Sequence, residues 1–387
     1  MKGRYAVLLL AVLTASTEAT DFQCKYHDGN GGDWMVAYKF PWVESTAFMA
    51  PGIPWKDSDM GEASPIGRTL NQYFELIAGG SQSTGDGGPL SAAEGGPLSA
   101  AEGGPLSAGG GGPLSDGDGD SPADEAGVKQ KPVGVIAYNQ HPPSGAMVAS
   151  LPGRGVLMVP DGTGMWIVHT FPQFPDLRDG KKYEKPTASN KAGMFVCVKI
   201  STAFDSIVEM LTYEAPLIYF LEGPNPRNNK WPRNVEDLVK GSASRVTPYA
   251  KQISLEISTS LTLKAFAKLS QAHLDIYSRF IAAVIKKSLR IWGQGDVKYK
   301  LPNYCNAFYK VEVLHGEFTL QNNKVSNQYD STVWLVSKGG KVWCVSNSPR
   351  LRTYEQYGNG VLCLENAEIY RAFKALADQT KSPQCPK

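Results

Sequence analysis

The sequence predicts a mixed α+β body, and three observations carry that expectation. Short runs rich in aromatic and β-branched residues recur between Gly and Pro punctuation, helical patterns are fewer, and the two kinds do not alternate strictly. One stretch in the first third differs so much in composition that it reads as an insertion into that body. With 387 residues, 42% of them apolar, the chain has ample material for one large or two modest cores.

The chain opens with Lys2 and Arg4, an apolar run from Tyr5 to Leu13 and small residues up to Ala19. That order predicts a signal peptide over 1–19 and a secreted, extracellular protein. The apolar run falls short of the ~18 residues that a spanning helix needs, so no membrane span is expected. Cys24, Cys197, Cys305, Cys344, Cys363 and Cys385 follow it. Six cysteines in an exported chain point to three disulfides, with about 15 connectivities open. None of them has zinc-site spacing with another Cys or His, so neither a metal nor another cofactor is expected.

Strands are expected at 33–40, 133–138, 155–159, 165–171 and 194–200, and a hairpin at 334–337 and 341–346 around the turn Lys338-Gly339-Gly340. A long helix is expected over 261–289. There Leu263, Phe266, Leu269, Tyr277, Phe280, Ile281 and Val284 fall at mostly helical spacing, and Lys264, Lys268, Lys286 and Lys287 face away. Near the end, Asn366 is placed to cap a helix with Ile369, Tyr370, Phe373 and Leu376 as its apolar stripe.

Residues 79–131 repeat the octapeptide Gly-Gly-Pro-Leu-Ser-Ala-Ala-Glu from Gly87, Gly95 and Gly103, and again with a changed tail from Gly111. One leucine per unit cannot offset the ordering cost, so this Gly/Pro/Ser-rich insert is expected to be a disordered loop. Asp116, Asp118 and Asp120 in it lack the glycine and glutamate of a calcium loop and read as a solvated acidic tract. The whole chain carries +2, but the insert holds eight acidic against two basic side chains. The mature folded body is therefore near +7. Such a body attracts polyanions, DNA or sulfated glycans among them.

No nucleophile elbow, His-Glu-x-x-His, phosphate loop or dinucleotide fingerprint is present. Of the five histidines, His169 lies within an apolar run and reads as a structural residue bonded to the backbone, while His141, in Asn-Gln-His-Pro-Pro, reads as a turn residue placed to line a cleft. No two histidines have a recognisable metal or nucleophile spacing.

Several blocks carry a resemblance. Cys24-Lys25-Tyr26-His27-Asp28-Gly29 with Asp33 to Pro41, Tyr138-Asn139-Gln140-His141-Pro142-Pro143, Gly155-Val156-Leu157-Met158, and Met165 to Thr170 with Pro172, Phe174 and Pro175 occur in order. Ala265 to Lys268, Trp343-Cys344-Val345, Gly358 to Cys363, Ala372-Phe373 and Pro383-Gln384-Cys385 follow. Together they resemble the deoxyribonuclease II family over 20–78 and 132–387. The resemblance implies a phospholipase D-like pseudo-dimer of two α/β halves, roughly 20–200 and 201–387, each giving a His-x-Lys motif to one cleft. It also implies metal-independent acid hydrolysis of DNA, leaving 3′-phosphate ends: one histidine attacks phosphorus, the other protonates the leaving oxygen, and the lysines hold the charge. The implied disulfides are Cys24–Cys197, Cys344–Cys363 and Cys305–Cys385.

The motifs themselves are replaced. Pro152-Gly153-Arg154 stands where the first His-x-Lys belongs, and Asp330-Ser331-Thr332-Val333-Trp334 where Asp-His-Ser-Lys-Trp belongs. At Pro152, Arg154, Ser331 and Val333 only a guanidinium remains of the two imidazoles and two ammoniums, so no catalytic residue is expected. Arg154, His141, His169, Asp330 and Trp334 are the expected cleft or phosphate-binding residues. The function expected is that of an inactive binding or effector protein, with DNA, a sulfated glycan, or a host or extracellular protein as partner. The alternative is a residual acid endodeoxyribonuclease. The oligomeric state is left open.

Overall fold

The computed structural model describes residues 21–80, 133–160, 164–178, 182–187, 189–200, 203–223, 231–241, 247–293, 299–383 and 385. The signal-peptide expectation and the whole octapeptide repeat lie outside the described residues, and residues 79–80, expected to begin the insert, close a helix instead. The strands in chain order are β1 (Cys24–Lys25), β2 (Gly31–Gly32), β3 (Trp34–Lys39), β4 (Ser45–Ala50), β5 (Ile53–Asp59), β6 (Val133–Asn139), β7 (Arg154–Pro160), β8 (Gly164–His169), β9 (Gly193–Ile200) and β10 (Ile218–Glu222). They continue as β11 (Ala250–Ser258), β12 (Leu261–Lys268), β13 (Leu289–Trp292), β14 (Tyr304–Cys305), β15 (Lys310–Val313), β16 (Glu317–Leu320), β17 (Asn323–Ser326), β18 (Val333–Ser337), β19 (Val342–Ser346) and β20 (Asn359–Glu365). Helices α1 (Pro65–Gly80), α2 (Phe204–Glu214), α3 (Arg233–Val239), α4 (Ala282–Ile285) and α5 (Ala367–Asp378) cover them.

Two eight-stranded sheets dominate, ordered β10-β6-β7-β8-β9-β3-β4-β5 and β11-β12-β20-β19-β18-β13-β15-β14. Read from β10 and from β15, the orders correspond strand for strand: β7 matches β18, β8 matches β19, β9 matches β20 and β3 matches β12. The expected division near residue 200 is too simple, because the chain crosses twice beyond it. Helix α2 packs on β12, β11 and β20 of the second sheet, and β10 then returns to pair with β6 of the first.

Both faces of the central strands are covered, which explains why they read as continuous apolar runs rather than as alternating ones. Trp34, Val36 and Tyr38 of β3 face a core shared by both sheets, together with Leu263, Trp334, Leu362 and Phe373. Met35 and Ala37 face the opposite way, into a second cluster with Leu70 and Tyr73 of α1. A third cluster lies under Ile276, Tyr277 and Ile281 against the second sheet.

The hairpin forms as expected, with Val336 opposite Trp343. So does the last helix, where Asn366 Oδ1 accepts from the backbone N–H groups of Glu368 and Ile369 at 2.9 and 3.0 Å. The long helix over 261–289 does not form. Leu261 to Lys268 are strand β12, paired on one side with β11 and on the other with β20. Leu261, Leu263, Ala265 and Ala267 alternate into the shared core, so period two overrides the weaker helical spacing. Helical structure there is limited to a 3-10 turn, Ser270–Ala272, and a π-helical turn, Ile276–Ile281, running into α4. Lys268 does not face away either: it is fully buried. The three disulfides are those implied by the resemblance, Cys24–Cys197, Cys305–Cys385 and Cys344–Cys363.

Candidate functional site

The first motif position lies at the start of β7 and the second at the start of β18, the corresponding strand of the other sheet. The halves are tied together there: Ala192 N–H donates to the Tyr329 carbonyl at 2.7 Å, Ser331 N–H donates to the Ala192 carbonyl at 3.2 Å, and Asn347 Nδ2 donates to the Arg154 carbonyl at 3.1 Å. A cleft of about 540 Å³ opens between them, lined by Arg154, Lys191, Asp330, Ser331, Val333 and Tyr354 among others. A larger groove of about 680 Å³ lies on the second sheet, but three of its basic groups are already in ion pairs, Arg290 and Lys374 with Asp378 and Lys338 with Glu312.

Within the cleft, Arg154 Nη1 donates to the Thr170 carbonyl at 2.7 Å, while its buried Nε has no hydrogen-bond partner. Burial pushes its pKa down to about 10, so the guanidinium stays charged in acid and at neutral pH. Ser331 Oγ donates to the Ala192 carbonyl at 2.6 Å, so its proton is committed to the backbone rather than to a base. Val333 is buried and offers no charge. Asp330 is held beneath the cleft: it takes a 2.7 Å bond from Trp292 Nε1, a 2.8 Å bond from Thr332 N–H and a short bond from Tyr38 Oη. Desolvation raises its pKa against these donors. Its geometry is that of a structural brace between the sheets.

The backbone at the first motif position is constrained as tightly as its side chains. Gly153 adopts φ +133°, and a Cβ there would lie 2.6 Å from Glu214 Oε1 and 3.0 Å from Pro216 Cβ. Only glycine fits this conformation and this contact. Glu214 is buried against Gly153 from one half and Gly360 from the other, and desolvation pushes its pKa up to about 8. Pro152 is buried and contributes neither a lone pair nor a proton.

Of the five residues expected in the cleft, the structure places Arg154 and Asp330 in its wall. Trp334 is instead fully buried, stacked on Trp292 with ring centroids 6.0 Å apart, because β18 directs it into the shared core. His169 is also fully buried, packed against Phe171 and Phe174. Desolvation first, then the Arg154 charge, drive its pKa down to about 3, so it is neutral. The expectation of a firm backbone bond fails: neither ring nitrogen makes a hydrogen bond of good geometry, although the Phe171 backbone lies close enough to favour the protonated ring slightly. His141 is not among the cleft-lining residues; its carbonyl accepts from Gln173 N–H at 2.7 Å, and its neighbour Gln140 lines the wall instead.

Sequence reasoning missed Lys191, Tyr354 and two buried lysines that shape the walls. Lys39, at the end of β3, donates to the carbonyls of Phe40, Ser189 and Lys191 at 2.8, 3.0 and 3.1 Å. Lys268, at the end of the corresponding strand β12, donates to the carbonyls of Glu355 and Tyr357 at 3.0 and 2.5 Å, and burial lowers its pKa to about 8. Each ammonium anchors one loop of the cleft wall. A lysine closing an apolar strand run, as in Trp34 to Phe40, was the available signal. Among the described residues no group of three His, Cys, Asp or Glu side chains is placed to hold a metal.

Two sheets of matching strand order, each delivering one motif position to a shared cleft, define a phospholipase D-like protein. The deoxyribonuclease II family model matches residues 122–383, and the chain belongs to that family. It is 29% identical over 247 residues to plancitoxin-1 of Acanthaster planci, covering 62% of this chain and 68% of that protein. Deoxyribonuclease-2-alpha of Rattus norvegicus is 28% identical over 254 residues, covering 64% and 72%. Deoxyribonuclease-2 of Caenorhabditis elegans is 24% identical over 400 residues, covering 97% of each chain.

Proposed function

We propose that this is a secreted, catalytically inactive deoxyribonuclease II homologue that binds DNA in its cleft without cutting it. The observation that carries the reading is the pair of motif positions. Pro152 and Ser331 replace both imidazoles, Val333 replaces an ammonium, and the hydroxyl of Ser331 is bonded to a backbone carbonyl. His169 is sealed in a core, and no histidine is among the described residues that line the cleft. A histidine nucleophile and a histidine acid act as one unit, and losing both removes the covalent route. Phosphate binding has simpler needs, and Arg154 with the exposed Lys191 supplies them. Three disulfides suit export to an oxidising compartment.

Fluorescence anisotropy of a labelled DNA fragment tests the binding half of this reading. Affinity should fall steeply as salt rises, and the double variant Arg154→Ala, Lys191→Ala should flatten that dependence by a slope of about 1–2. A salt-independent affinity, or one unmoved by both substitutions, contradicts DNA binding in this cleft.

A further inference from the structure

We propose that Trp42 and Tyr329 form a stacking platform at the cleft mouth for the unpaired bases of a single-stranded polynucleotide. The proposal rests on the cleft as the phosphate site and adds what is bound beside it. Trp42 lies in the turn between β3 and β4, 64% exposed, with φ +67°. A bulky side chain in this left-handed conformation is strained, and burial does not offset the strain here. Its ring packs edge-on against Tyr329, centroids 5.2 Å apart at 62°, which holds the indole while leaving most of its surface open.

Tyr329 connects this platform to the cleft. It stands between Gln328 and Asp330, both in the cleft wall, and its carbonyl accepts from Ala192 N–H, next to Lys191 in the same wall. The nearby Glu44 carboxylate is paired with Lys185, which reduces its repulsion of a phosphate chain. Flat π faces beside fixed positive charge match a strand whose bases are free to leave their stack. A duplex keeps its base faces covered by their neighbours, and a sulfated glycan supplies the charge without aromatic faces. Stacking is tolerant of sequence, so the platform would add affinity without reading bases.

Anisotropy with the full-length protein tests this, using a labelled oligothymidylate, an abasic oligomer of the same length, and heparin as probes. The oligothymidylate should bind more tightly than the abasic chain. Trp42→Ala should weaken it about 10-fold and leave the abasic chain and heparin unchanged. Trp42→Gly, which accepts the turn's φ freely, should give the same loss, which separates stacking from turn distortion. Equal binding of thymidylate and abasic chains, or a Trp42 loss shared by all three probes, overturns the platform. Arg154→Ala distinguishes failure of the cleft reading: it should weaken all three probes, and no change there removes the cleft as phosphate site while the Trp42 comparison still decides stacking.

Discussion

Asp275→Ala is expected to lower the stability of the folded chain by about 3–5 kcal/mol, read as a fall in the denaturant midpoint. Asp275 pairs with Arg350 at 2.8 Å, and the two side chains are 7% and 3% exposed. The same carboxylate accepts from Tyr277 N–H at 3.1 Å and from Ser278 Oγ at 2.6 Å, which caps the π-helical turn. Arg350 in turn donates to the Pro302 carbonyl at 2.6 Å. Removing the carboxylate leaves a buried guanidinium without this counter-charge, a larger loss than the net worth of the pair. The effect should reach the cleft, because Pro349 and Leu351, on either side of Arg350, line its wall. Asp275→Asn keeps an acceptor for the capping bonds and should cost less. A loss from Asp275→Ala typical of an exposed pair, under about 1 kcal/mol, contradicts this account.

Glu214→Gln is expected to stabilise the protein by about 3 kcal/mol at neutral pH while changing little in acid. The folded carboxyl has its pKa raised to about 8 from 4.5, so the folded state holds a proton that the unfolded state has lost over that interval. Its contribution is therefore fully present below 4.5 and is lost as pH rises through 8. His169 works the other way. Its folded pKa is lowered to about 3 from 6.5, so its contribution is present above 6.5 and is lost as pH falls through 3. Between 4.5 and 6.5 the two opposing slopes cancel, which predicts a plateau in stability with a decline on each side. Glutamine at 214 removes the alkaline decline, so the variant should keep gaining stability up to 6.5 and then level off. Denaturation midpoints measured across this range check the prediction. A variant whose profile parallels the native one would show that Glu214 is ionised in the fold.

The sequence made much of the frame legible because the frame depends on local signals. The Lys338-Gly339-Gly340 turn marks a hairpin, and Asn366 before an apolar stripe marks a capped helix. Leu261 to Lys268 misled because apolar residues spaced by two (Leu261, Leu263, Ala265) and by three (Leu263, Phe266, Leu269) satisfy both periods, and only pairing with β11 and β20 decides between them. The site was harder to read. The absence of any His-x-Lys motif is plain in the sequence, but the fit of the Glu214 carboxyl against Gly153 and Gly360 joins residues 61 and 146 positions apart. Trp334 and His169 sit in family blocks, yet strand direction points both into cores, and sequence order alone does not tell a cleft face from a core face. Lys39 and Lys268 look like surface lysines until the carbonyls that bind them are placed.

The most direct test of the central claim is nicking of supercoiled plasmid by the purified native protein at acidic pH in the presence of chelator. The account predicts no nicked or linear product above a protein-free control, even at protein concentrations where the same plasmid is bound. Nicked product that co-elutes with the folded protein and carries 3′-phosphate ends would contradict it, because the cleft would then contain a nucleophile that Pro152 and Ser331 do not supply.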